Sequence, residues 1–190
     1  MKKVILLGLS VAFSIGLSAQ TPQVYSTKAG DTTASKISFE SKTPVEDIFA
    51  ETKTAKAAVV VKTKRVKIKI KMISFKFEKP LMEEHFNEKY VETEKYPNAI
   101  FDGTIQEDID FSKDGTYQVS VKGKLTVHGV TKERTLTGTI VVAGGKLDLK
   151  TEFKINLVDH KIKVPSVVTK NIAETIDVKA HFICTPYKKS

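Results

Sequence analysis

Over residues 146–157, apolar side chains fall on every second position. Leu147, Leu149, Phe153, Ile155 and Leu157 share one parity, and Asp148, Lys150, Glu152, Lys154 and Asn156 share the other. Such alternation predicts a strand that buries one face and wets the other. Residues 117–127 repeat it, with Tyr117, Val119, Val121, Leu125 and Val127 against Gln118, Ser120, Lys122, Lys124 and Thr126. Ile176, Val178, Ala180 and Phe182 alternate with Asp177, Lys179 and His181, and Val66, Ile68, Ile70 and Met72 with Lys67, Lys69 and Lys71. Weaker patterns predict strands at 36–41, 48–54, 57–61, 99–106 and 135–142, about eight or nine in all. Lys113-Asp114-Gly115, His128-Gly129 and Ala143-Gly144-Gly145 separate alternating runs as hairpin turns do, and short connections imply antiparallel neighbours.

One stretch changes period. In residues 80–91, Leu81, Met82, His85, Phe86 and Tyr90 recur at helical spacing, behind Pro80, which suits a first helical turn. Glu83 and Glu84 follow early, where the helix dipole favours acids, and Tyr96-Pro97 blocks further extension. A single short α-helix among many amphipathic strands predicts a mostly β, antiparallel barrel with the helix packed against it. Closure also removes the exposed edges of so many strands.

The N-terminus follows neither period. Lys2 and Lys3 precede an apolar run from Val4, and the run ends at Leu17-Ser18-Ala19. This is the layout of a secretory signal peptide over residues 1–19, and the run is short for a membrane span. Residues 20–34 are polar, rich in small residues and without predicted order, and residues 35–187 form the barrel domain. Cleavage would lower the formal net charge from +9 to +7. A periplasmic or secreted setting turns the meaning of that charge away from nucleic acid and towards anionic surfaces or acidic polymers. The single cysteine, Cys184, has no partner for a disulfide and sits in an apolar strand pattern as a small hydrophobe.

Catalytic chemistry has no visible home. His85, His128, His160 and His181 fall in no metal-ligand spacing, and no nucleophile elbow, phosphate loop or dinucleotide fingerprint occurs. Glu83, Glu84 and Glu88 read as a solvated helix face. The expectation is a protein that is not an enzyme and needs no cofactor or metal. Lys67, Lys69 and Lys71 must share one face of their strand, either as an outer face that discourages aggregation or as a stripe that docks on an acidic partner or an anionic membrane surface. No aromatic residues interleave with them, so nucleic acid is not expected.

Two stretches resemble the YceI-like family of exported, lipocalin-like proteins. One runs from Ser74-Phe75-Lys76-Phe77 through Pro80-Leu81-Met82-Glu83-Glu84-His85-Phe86 to Tyr96-Pro97-Asn98-Ala99-Ile100-Phe101-Asp102-Gly103. The other is Gly123-Lys124-Leu125-Thr126-Val127-His128-Gly129-Val130-Thr131-Lys132. Residues 28–39 lack the Trp and His with which many members begin the domain. The resemblance implies a barrel of about eight strands that holds a polyisoprenoid or another long-chain lipid, and it allows a homodimer.

A barrel of eight strands encloses either its own side chains or one small ligand. The inward parity supplies the expected interior: Phe39, Val66, Ile68, Ile70, Phe101, Ile105, Val119, Val121, Leu136, Ile140, Leu149, Phe153, Ile155, Ile176, Val178 and Phe182. Gly103, Gly123 and Gly138 share that parity, and their missing side chains are expected to leave room for a cavity.

Overall fold

A computed structural model describes residues 23–165 and 171–187. The predicted signal segment lies outside them. The strands are β1 (Val24–Ser26), β2 (Ser35–Lys42), β3 (Asp47–Thr52), β4 (Lys56–Val60), β5 (Arg65–Lys71), β6 (Lys76–Phe77), β7 (Asn98–Ile105), β8 (Gly115–Val127), β9 (Val130–Ala143), β10 (Lys146–Asn156) and β11 (Thr175–Pro186). All pairings are antiparallel.

Eleven segments make a closed barrel of eight walls, because three walls are broken. β1 and β2 lie end to end along one edge of β11, β1 opposite Thr185 and Pro186 and β2 opposite residues 177–182. β3 and β4 form the next broken wall, and β5 and β6 the third. β7 to β11 then meander back to the start. The alternation read from the sequence maps onto burial: in β5, Val66 is buried and Ile68 and Ile70 half-buried, while Lys67, Lys69 and Lys71 stand exposed outside.

Between β5 and β7, α1 (Pro80–His85) starts on Pro80 and runs on into a π-helical turn, Phe86–Tyr90. The Glu83 carboxylate accepts from the Lys76 ammonium at 2.5 Å and from the Phe77 backbone N–H at 3.3 Å, which ties the helix to β6. Met82, His85, Phe86 and Tyr90 turn to the barrel, but Leu81, at the same helical spacing, is 60% exposed.

The glycines do something other than leave room. A Cβ on Gly123 would sit 2.4 Å from the Asp102 carbonyl oxygen, and one on Gly138 would sit 2.3 Å from that of Lys150. Gly103 and Gly123 face one another across β7 and β8, and a Cβ at Gly103 would lie 3.0 Å from the Phe101 ring. Their lack of a side chain lets strand backbones approach closely as the walls coil, and none of the three borders the cavity described below.

One seam is closed by a β ladder over only part of its length. β10 pairs with β9 only over residues 146–151, and residues 152–156 continue along β11 alone. The gap is covered by the 3-10 turn Leu157–His160. His160, fully buried, donates from Nδ1–H to the Val130 carbonyl at 3.1 Å. His128 donates from Nδ1–H to the His160 carbonyl at 3.0 Å, and its Nε2 lies 2.7 Å from the Glu92 carboxylate. His128 holds a left-handed backbone (φ 50°) ahead of Gly129 (φ 71°) at the β8–β9 tip, the paired positive φ that matches strand twist in a tight hairpin.

Candidate functional site

The barrel has two unlike halves. In the half beneath the β9–β10 hairpin, inward side chains from neighbouring strands meet in rows and fill the space. Ile140, Leu149 and Phe182 form one such row across β9, β10 and β11, and each is at most 9% exposed. In the other half, beside α1, the same inward parity surrounds a partly enclosed cavity of about 290 Å³.

The elements around the cavity explain why it stays open. Its wall on the broken side is aromatic: Phe39 of β2 lies 5.1 Å from Phe75, 5.7 Å from Phe77 and 5.4 Å from Phe86 between ring centroids. Such edge-on and offset contacts fix ring positions and tie the π-helical turn that carries Phe86 to β2 and β6. Leu125 and Val127 of β8, Phe153 and Ile155 of β10, and Ile176 and Val178 of β11 continue the wall, with Val178 in register beside Phe39. Leu157, Ile162 and Ile172, from the irregular connection between β10 and β11, complete the rim.

Six of the sixteen interior residues expected from the sequence line this cavity: Phe39, Ile70, Phe153, Ile155, Ile176 and Val178. The other ten (Val66, Ile68, Phe101, Ile105, Val119, Val121, Leu136, Ile140, Leu149 and Phe182) do not line it and belong to the filled half. Parity identifies which side chains point inward but not their height along the barrel. Met72 continues the alternation of β5 but is not among those sixteen, and Phe75 and Phe77 lie where the third wall breaks and alternation fails. Helical spacing did mark Met82, His85, Phe86 and Tyr90. Nothing in the pattern marks Ile162 or Ile172.

Polar groups are few and sit towards the rim. The Ser41 hydroxyl accepts from the Ala173 N–H at 2.8 Å, which pins residues 171–174 against β2. Glu46, in the β2–β3 turn, accepts from the Lys79 ammonium at 2.6 Å. That hydrogen bond is the main reason its carboxyl is held below the usual carboxylate range, with Asn171 acting in the same sense. Among the described residues, His85, Asn171 and the Tyr90 hydroxyl add the other polar groups of the lining. At the far end of β11, burial pushes the Cys184 thiol up to about 12, which makes it an inert apolar filler.

A closed antiparallel barrel, filled at one end and hollow and apolar at the other, is a barrel of the lipocalin-like class. The YceI-like domain matches residues 29–183, and the chain belongs to the YceI-like family. Among solved structures, it shares its fold with a polyisoprenoid-binding domain from Saccharophagus degradans implicated in plant cell wall breakdown (TM-score 0.72, 13% identity, 87% of this chain and 99% of that one). It also resembles BcnA of Burkholderia cenocepacia (TM-score 0.66, 18% identity, 82% and 99%). A third likeness is to the YceI protein of Campylobacter jejuni (TM-score 0.56, 19% identity, 100% of both chains). No curated protein matches the chain.

Proposed function

We propose that this protein is an exported, non-catalytic carrier that sequesters a long-chain apolar amphiphile, a polyisoprenoid or related lipid, in the hollow half of its barrel. The observation that carries the reading is the cavity itself: apolar on nearly every side, partly enclosed, and floored by packed side chains. The name of the Saccharophagus degradans relative, a polyisoprenoid-binding domain, supports the same class of cargo. Residues 1–19 would direct the chain to the periplasm or beyond and then be removed. Among the described residues no helix is long and apolar enough to cross a membrane.

Binding would draw on apolar burial, worth about 0.8 kcal/mol per CH₂ removed from water. Displacement of a fluorescent apolar probe by linear alcohols of increasing length tests this. Affinity should climb steeply with each CH₂ and then level off when the chain reaches the floor. A flat series, with no dependence on length, contradicts a cavity-bound chain.

A second reading has one observation in its favour. Lys69 of β5 stands directly opposite Lys56 of β4, two exposed ammonium groups side by side on the outer wall. Like charges in that position are unfavourable unless something anionic lies over them. Docking of this face, with Lys67 and Lys71, on an acidic partner or anionic membrane would be abolished by reversing the charges at Lys67, Lys69 and Lys71. The same change would leave cavity loading intact.

A further inference from the structure

We infer that the cavity selects a neutral, hydrogen-bonding head group, such as an alcohol, amide or ring carbonyl, and discriminates against lipid phosphates. This inference rests on the carrier reading above and names the chemistry at its open end. Among the described residues no lysine or arginine lines the cavity, and their polar groups there are hydroxyl, amide, imidazole and a single carboxylate. A phosphate carries up to two negative charges into a partly enclosed, low-dielectric space, where each unpaired charge is heavily penalised.

The cation in contact with that lining is already committed. Lys79 donates to Glu46 at 2.6 Å, so a phosphate could claim it only by displacing a carboxylate. Glu46 stays ionised near neutral pH, because Lys79 holds its carboxyl low. Arg134, on β9, acts on His160 at the seam and lies outside the lining. The surroundings point the same way. Among the described residues, the segments that ring the opening (42–47, 78–90, 157–163 and 171–174) carry eight carboxylates against five ammonium groups. The chain as a whole is basic, with a formal net charge of +9. The excess of positive charge therefore lies elsewhere, in part on the outer wall around β5.

A neutral oxygen suits what is present. The Ser41 hydroxyl accepts from Ala173 N–H and keeps its own proton to donate. Asn171, His85 and Tyr90 add hydrogen-bonding groups of both kinds without a net charge requirement.

The test uses delipidated protein, with geranylgeraniol and geranylgeranyl phosphate displacing a fluorescent apolar probe. The two share one chain and differ only in the head. The alcohol should bind at least about tenfold tighter, the scale of one uncompensated charge contact at the protein surface. Glu46→Gln should narrow the gap, and Glu46→Lys should close or reverse it. Phosphate binding that equals or exceeds alcohol binding in the unaltered protein overturns the inference while leaving the carrier reading standing. A gap untouched by either substitution overturns the part assigned to Glu46. Failure of both ligands to displace the probe overturns the carrier reading and this inference with it.

Discussion

Two substitutions four residues apart on one face of β11 separate a hollow barrel half from a filled one. Val178 borders the cavity, while Phe182, 2% exposed, packs between Leu149 and Ser35 in register. Phe182→Ala removes the six ring carbons from a fully packed site and leaves only Cβ. The usual loss for such a truncation is about 3–5 kcal/mol. With a urea dependence of about 2 kcal/mol per molar for a domain of this size, the unfolding midpoint should fall by roughly 1.5–2.5 M. Val178→Phe adds four carbons in the opposite sense. In a packed core that enlargement would cost about 1–3 kcal/mol, but a ring that turns into existing space should cost under ~1 kcal/mol. The same ring should occupy the volume a ligand needs. Urea unfolding of delipidated protein, paired with probe displacement, reads both effects. Phe182→Ala should be strongly destabilised, and Val178→Phe should be nearly as stable as the parent with probe affinity reduced tenfold or more. A Val178→Phe protein that loses 2 kcal/mol and still binds probe normally would refute the division of the barrel into two halves.

Three further outcomes follow from single residues. Gly123→Ala should destabilise by about 2 kcal/mol or more in the same unfolding assay, because its Cβ would meet the Asp102 carbonyl at 2.4 Å and the β7–β8 pair must separate. Burial lowers the pKa of His160, so the unfolded chain binds its proton first, and stability should decline as pH falls below about 6.5 towards the folded-state value. His160→Gln should flatten that slope, and an unchanged slope would place the acid sensitivity elsewhere. Cys184, fully buried with its thiol pushed up to about 12, should resist Ellman's reagent in the native protein and react fully once unfolded in urea.

The strands were legible because one face of each wall is wet. Alternation in residues 117–127, 146–157 and 176–182 survives as β8, β10 and β11 almost without change. β1 and β6, of three and two residues, were not visible, since so few positions carry no period. Both complete broken walls, and β6 places Phe77 in the lining of the cavity. The helix was legible from Pro80 and the spacing of Met82, Phe86 and Tyr90, but its exposed Leu81 shows that spacing alone overstates the buried stripe. The three inward glycines leave no room for a ligand: the constraint on them is the approach of neighbouring backbones. Of the site, parity alone yields Phe39, Ile70, Phe153, Ile155, Ile176 and Val178, and the expected interior leaves out Leu125 and Val127 of β8, which also line the cavity. Residues from breaks and connections, such as Phe75, Ile162 and Ile172, are fixed by closure of the barrel rather than by any local pattern.

The most direct test is native mass spectrometry of the protein purified, without delipidation, from the cells that make it. The account predicts a species heavier than the mature chain by the mass of one long-chain lipid, which is released on unfolding and extractable into organic solvent. Val178→Phe should give the bare chain. A parent protein that flies bare from such cells, and that takes up no long-chain amphiphile offered in excess, would contradict the claim that this barrel is a carrier.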